Sequence, residues 1–264
     1  MAGKDPSRRH ALRAVPLTGL PEIRPGDDLG ILIAEAWRRS SSEVGGLQKA
    51  DLLVVAHKVI SKAEGRTRYL AEIDPGERAS ALASELGKDP RHVQAVLDES
   101  TQVLRADRGV MICVTRHGFV CANAGVDASN VTDPDSVVLL PRDPDSSARA
   151  LRRRLHELTG VAPAIVISDS FGRAWRHGQS EIAIGCAGLS PLDDWRGRRD
   201  FTGRELHATW IAVADEAAAA ADLTRRKDSR EPVVVVRGLE RHVTDDDGPG
   251  AAALVRPEEE DLFR

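Results

Sequence analysis

Hydrophobic positions along this chain follow two patterns, short unbroken apolar runs and longer stretches with one polar face, interleaved without regular alternation. Residues 51–57 and 232–238 are apolar runs of strand length, bounded by charge, Pro or Gly. A third starts at Val161 and runs to Ser168. Runs of this kind suit strands covered on both faces. Val15 opens a shorter strand that passes into Leu20-Pro-Glu-Ile-Arg-Pro-Gly26. Residues 108–115 and 118–123 are β-rich and separated by Arg116 and His117, the spacing of a hairpin.

Periodic segments predict a helix capped by Asp27 or Asp28 and running to about Arg39, and two more over residues 77–86 and 89–99. A further helix runs over 146–158, capped by the Asp143-Pro-Asp-Ser stretch and ended at Gly160. Residues 212–223 are helical on alanine content. The cations of 225–230 suit that helix's negative end; they could also contact a polyanion, but the helix-end reading needs nothing else and is preferred. Residues 178–204 read as a small-residue segment followed by an Arg-rich loop, and 245–250 as a turn. The mixture predicts an α+β fold, with mixed β-sheets and flanking helices. Residues 1–13 are expected to be a frayed tail and 14–264 a single domain.

Composition narrows the function classes. A chain of 264 residues with 41% hydrophobic content buries a core unaided. The formal charge is 37 − 41 = −4, which argues against nonspecific nucleic-acid binding. No apolar run approaches a bilayer's thickness, and residues 1–9 lack the apolar segment of a secretion signal, so a cytoplasmic location without membrane contact is expected. Cys113, Cys121 and Cys186 form no CxxC pair and read as buried free thiols, the first two facing each other across the hairpin.

Candidate chemistry gathers in two loops. The third apolar run stops on Asp169, followed by a glycine turn that carries Arg173, Trp175, Arg176 and Gln179. Forked guanidinium donors suit phosphate or carboxylate. Trp175 reads either as a hydrophobic plug or as a platform for a flat ring. The hairpin empties into Ala124-Gly-Val-Asp-Ala-Ser-Asn130, where Asp127 and Asn130 offer hard oxygen ligands. Asp127 and Asp169 are a candidate pair for Mg or Mn, although loop aspartates commonly cap turns. The strand at 51–57 delivers Lys58, Lys62 and Arg66 into a loop, where they read either as a phosphate clamp or as a solvated edge. The chain contains no GxxxxGK[ST] and no GxGxxG after a strand, so a nucleotide would be held in some other way.

Four segments carry a resemblance: Gly19-Leu-Pro-Glu-Ile-Arg-Pro-Gly-Asp-Asp28, His57-Lys-Val-Ile-Ser-Lys-Ala-Glu-Gly-Arg66, Ala124-Gly-Val-Asp-Ala-Ser-Asn130 and Ser168-Asp-Ser-Phe-Gly-Arg-Ala-Trp-Arg-His-Gly-Gln179. With Ala214-Asp-Glu and Val236-Arg-Gly, they resemble the coenzyme F420-0:L-glutamate ligase family in order from about Leu17 to Phe263. The resemblance implies that GTP activates the terminal carboxylate of the deazaflavin's lactyl-phosphate side chain as an acyl phosphate. The amine of L-glutamate then attacks, giving an amide, GDP and phosphate, and later additions would be γ-linked. It implies a divalent metal, Mg or Mn, with potassium as a further cation. It also implies an intertwined homodimer whose sites draw on both subunits.

Carried over position by position, Asp127, Asp169 and Lys62 would be catalytic. Leu20, Pro21, Glu22, Ile23, His57, Lys62 and Asn130 would contact GTP. Asp127 and Asp169 would hold one metal, and Ser170 a second. Assignment of Arg173, Trp175 and Arg176 to coenzyme phosphate or glutamate is a hypothesis made here. The chain departs from the family at His57, where relatives often carry a hydroxyl residue, and at Ser170, which replaces the commoner Thr. Lys227 stands where many archaeal members carry a metal-binding Gln; an ammonium suits phosphate instead. The matching nucleotide-contact stretch, residues 224–231, is unusually basic. The chain ends before the flavin-binding second domain of some bacterial relatives. Two rival readings keep the same scaffold, a nucleotide-binding regulatory protein and a metal-dependent phosphohydrolase. The complete set of Asp127, Asp169, Lys62 and Asn130 favours turnover.

Overall fold

A computed structural model describes residues 11–129, 133–226 and 228–262. The chain opens with β1 (Arg13–Pro16), so Arg13, expected in the tail, is already paired with Arg237. Helix α1 (Leu29–Arg39) is capped by Asp28, whose carboxylate accepts from Ile31 N at 3.1 Å. Asp27 instead closes the preceding turn on Arg24 N. A short α2 (Ser41–Val44) leads into β2 (Leu52–Ala56), which passes without a break into α3 (His57–Ala63).

Beyond α3 come β3 (Thr67–Tyr69), α4 (Glu77–Leu86) and α5 (Pro90–Asp98). Next are β4 (Ser100–Asp107), β5 (Val110–Thr115), β6 (Val120–Ala122) and β7 (Ser136–Val138). Helix α6 (Pro144–Thr159) starts on an Asp143 cap and ends at Gly160 in the left-handed region. The chain continues through β8 (Ala164–Arg173), β9 (Arg176–Ala187), β10 (Asp193–Asp194), β11 (Trp210–Ile211), α7 (Val213–Asp222) and β12 (Val233–Arg237).

A five-stranded sheet in the order β1-β12-β2-β8-β9 organises the molecule. Only β2 and β8 are parallel; the other pairings are antiparallel, so the sheet is mixed as expected for α+β. The period of two explains the unbroken apolar runs. Leu53, Val55, Ile165, Ile167, Val233 and Val235 pack on α1 and α6 through Ile33, Trp37, Leu151 and Leu155. Their alternates Leu52, Val54, Val166, Val234 and Val236 pack on the alanines of α7. Both faces are therefore covered. A third core joins α4 and α5 to β4 and β5 of the three-stranded sheet β4-β5-β6 and to β7 of the pair β3-β7. Among the described residues no helix is long and apolar enough to cross a membrane.

Four expectations change. The run that reaches Asp169 continues to Arg173, because β9 pairs along it as far as Arg176. That same β9 takes up the start of the small-residue segment, for which no strand was expected. Residues 58–63, read as a loop, are helical. Finally, β4 lies against β5 and had no sequence counterpart.

Candidate active site

Helix α3 is the element on which the predicted residues meet. His57 and Lys58 are consecutive in its first turn, with Cα atoms about 3.8 Å apart, and each reaches a different acid. His57, 2% exposed, places Nε2 3.3 Å from Asp169 Oδ1. Lys58 Nζ lies 2.7 Å from Asp127 Oδ2. One turn later, Lys62 Nζ meets Glu22 Oε1 at 2.5 Å. Spacing of four residues puts Lys58 and Lys62 on one face of the helix, and His57 and Ser61 on another. The loop holding Glu22 is tied to the helix end by Gly26 N donating to Ala63 O. Ile23 in that loop is buried in the core and Leu20 packs against it.

Asp127 follows the β6 turn and is held by backbone bonds with Val138 in both directions. Its Oδ1 accepts from Ser129 N at 2.6 Å. Burial pushes this carboxyl upward, but the Lys58 ammonium and the Ser129 amide outweigh that and hold it below the usual range. Asp169 accepts from Ser170 N at 2.7 Å. Its charge also reaches Cys121, whose thiol is pushed up to about 12, chiefly by burial. Cys121 sits directly opposite Cys113, and all three cysteines are free and buried as expected.

Ser170 donates its hydroxyl proton to Glu181, 4% exposed on β9. Glu181 Oε2 lies 3.0 Å from Arg225 Nη2, whose side chain is 8% exposed. The approach does not meet hydrogen-bond geometry at that oxygen, so charge pairing dominates the contact. Arg225 is therefore a buried partner of the site strand rather than a surface cation finishing a helix. Sequence reasoning found neither Glu181 nor this role for Arg225. The available signal was an acid directly before the apolar half of a strand, which is meaningful only once β9 is recognised.

Other predicted residues lie apart. Arg66 pairs with Glu99 at 2.7 Å and donates to Leu140 O, a structural role rather than a phosphate clamp. Arg173, Trp175 and Arg176 occupy the tip of the β8-β9 hairpin. Four residues at about 3.3 Å each put Arg173 about 13 Å along the strand from Asp169. Trp175 is 81% exposed with φ +59°, so it is not a plug. Asn130 and Lys227 lie outside the described residues.

Two aspartates and the Ser170 hydroxyl are hard oxygen donors suited to Mg or Mn. Among the described residues no three His, Cys, Asp or Glu side chains form a closed cluster. The buried Nε2 of His57, lacking a hydrogen-bond partner beside Asp169, nevertheless marks a place where a cation fits.

Comparison with known proteins bears on this arrangement. The sequence profile of the F420-0:Gamma-glutamyl ligase family matches residues 19–238. The chain is 44% identical over 247 residues to the coenzyme F420:L-glutamate ligase of Methanothermobacter thermautotrophicus, covering 93% of this chain and 96% of the relative. It is 45% identical to that of Methanopyrus kandleri, covering 96% and 98%. With the Archaeoglobus fulgidus protein of the same name the identity is 46%, over 94% and 95%.

Proposed function

The chain belongs to the F420-0:gamma-glutamyl ligase family, and on that premise we propose that it joins L-glutamate to coenzyme F420-0 at the expense of GTP. The observation that carries the reading is the convergence on α3, where consecutive residues reach Asp169 and Asp127 and Lys62 follows one turn on. A bound triphosphate needs such a layout, with fixed carboxylates to hold a divalent metal and ammonium groups to meet phosphate oxygens.

In this reading Asp127 and Asp169 hold one metal and Ser170 a second. The metal, Mg or Mn, supplies charge neutralisation of the transferring phosphoryl group. Lys62 turns from Glu22 to a phosphate, while Leu20, Pro21, Glu22, Ile23, His57 and Asn130 line the nucleotide. Lys58 holds Asp127 until the nucleotide arrives, which keeps that carboxylate charge compensated. The coenzyme's carboxylate attacks the γ-phosphorus and GDP leaves, giving an acyl phosphate. The free amine of glutamate then displaces phosphate, forming an amide and releasing a proton. Further γ-linked additions repeat the same steps on the new terminus.

Arg173, Trp175 and Arg176 project from the hairpin tip, where they would reach a site across a homodimer interface. Potassium is a further cation of the proposed site.

The test is mass spectrometry of a reaction holding the full chain, F420-0, L-glutamate, GTP and Mn2+ or Mg2+, with Asp127→Ala as control. A product heavier by one or more glutamyl residues, absent in the control, is expected. GDP without that product would replace the reading with a phosphohydrolase. Nucleotide binding without turnover would replace it with a regulatory protein.

A further inference from the structure

His57 is fully enclosed, yet one of its two ring nitrogens lacks a hydrogen bond. Nδ1 lies 3.4 Å from Ser61 Oγ, one helical turn on, and can donate its proton there. That tautomer leaves the Nε2 lone pair aimed at Asp169 Oδ1, 3.3 Å away. Ser170 N donates to the same oxygen at 2.7 Å. A lone pair facing a carboxylate oxygen in a buried place is unfavourable unless a cation lies between them.

The spacing matches that cation. Two donor atoms each about 2.1 Å from a first-row ion lie about 3.0 Å apart at a right angle and about 3.4 Å apart at the tetrahedral angle. We propose, resting on the reading in which Asp169 holds a divalent metal, that His57 Nε2 is a direct ligand of that metal. The site is then a mixed nitrogen–oxygen site that selects Mn2+ over Mg2+. Imidazole suits transition metals, whereas Mg2+ takes oxygen ligands almost exclusively. Ser61 acts as the positioning residue that sets the tautomer and the ring plane.

Electron spin-echo envelope modulation of Mn2+ bound to the full chain without nucleotide tests this directly. A protein grown with 15N-histidine needs no substitution. Its modulation is expected at the 15N frequency, where unlabelled protein shows 14N. His57→Ser is expected to lose the histidine coupling and bind Mn2+ at least about tenfold more weakly. Mg2+ affinity, measured by competition, should change much less. Mn2+ bound in an Asp169-dependent way without histidine coupling overturns the proposal and leaves the metal reading intact. Coupling that persists in His57→Ser also overturns it, pointing to another histidine. Mn2+ binding that Asp169→Asn leaves untouched removes the metal reading and this proposal together.

Discussion

Replacing Arg225 by Ala probes the buried charge pair under the candidate site. Arg225 Nη2 and Glu181 Oε2 are 3.0 Å apart, and both side chains are less than a tenth exposed. At an effective dielectric of about 20, that separation corresponds to an attraction of about 5–6 kcal/mol. Desolvation of the two ions offsets most of it while both are present. Removing Arg225 takes a closely apposed cation from a buried carboxylate, a change that typically costs about 3–5 kcal/mol. For a chain of this size each kcal/mol lowers Tm by about 2–4 °C, so a fall of roughly 10 °C is expected by calorimetry. Urea unfolding should show the same loss with an unchanged m value.

The Glu181→Leu/Arg225→Met double variant decides between causes. It removes both charges at similar volume and should recover most of the stability. Arg225 also contacts Asp222 at 3.3 Å, Pro232 O at 3.3 Å and Ser168 Oγ at 3.5 Å. A double variant as unstable as the single would assign the loss to those contacts. A single variant that loses less than about 1 kcal/mol would refute the buried-pair argument itself.

Three further outcomes follow from the packing. Asp215 accepts from Ala183 N at 2.8 Å, and burial raises its carboxyl above the usual range. Such a group favours the fold when protonated, and stability declines as pH rises from the ordinary carboxylate value through the raised one. Asp215→Asn keeps the acceptor, so it should be more stable than the parent at neutral pH and lose that advantage in acid; equal pH profiles in thermal melts would contradict this. Cys121 and Cys186 are each pushed up to about 12, by burial first and by neighbouring carboxylates second, and burial likewise raises Cys113. Native protein at pH 8 should therefore react with Ellman's reagent only on the timescale of unfolding, and rapid labelling of any thiol would argue against it. A Cβ at Gly185 would press on the carbonyl of Pro144 and disturb the bond from Cys186 N to Asp145 Oδ1. Gly185→Ala should cost about 1–3 kcal/mol in urea unfolding, and a neutral result would show that the start of α6 can shift freely.

Local pattern carries a definite part of this protein. The buried strands β2 and β12 were legible because an unbroken Val/Leu run has few other uses, and both their faces prove covered. The helices at 29–39, 77–86, 90–98 and 144–159 announce themselves through amphipathic period, and the first and last of them also through Asp28 and Asp143 as caps. Motif content placed Asp127, Asp169 and Lys62 among the candidates, and the family resemblance added Glu22.

Their assembly was not legible. Helix α3 has no side-chain cap and contains branched and polar residues, so nothing local distinguishes it from a loop. It forms where β2, paired in parallel with β8, must turn away from the sheet. The extension of β8 past Asp169 depends on β9 lying beside it, and β4 depends on β5. Hydrogen bonding between strands is satisfied only by residues far along the chain, so a polar, weakly alternating segment gives no sign of it in advance. The same holds for Glu181 and Arg225, whose charges are tolerated in the interior only because folding brings them together. Sequence determined which residues were available for the chemistry. Tertiary structure decided which of them meet, because the cost of burying a charge or a backbone amide is settled by its partner and not by its neighbours in the chain.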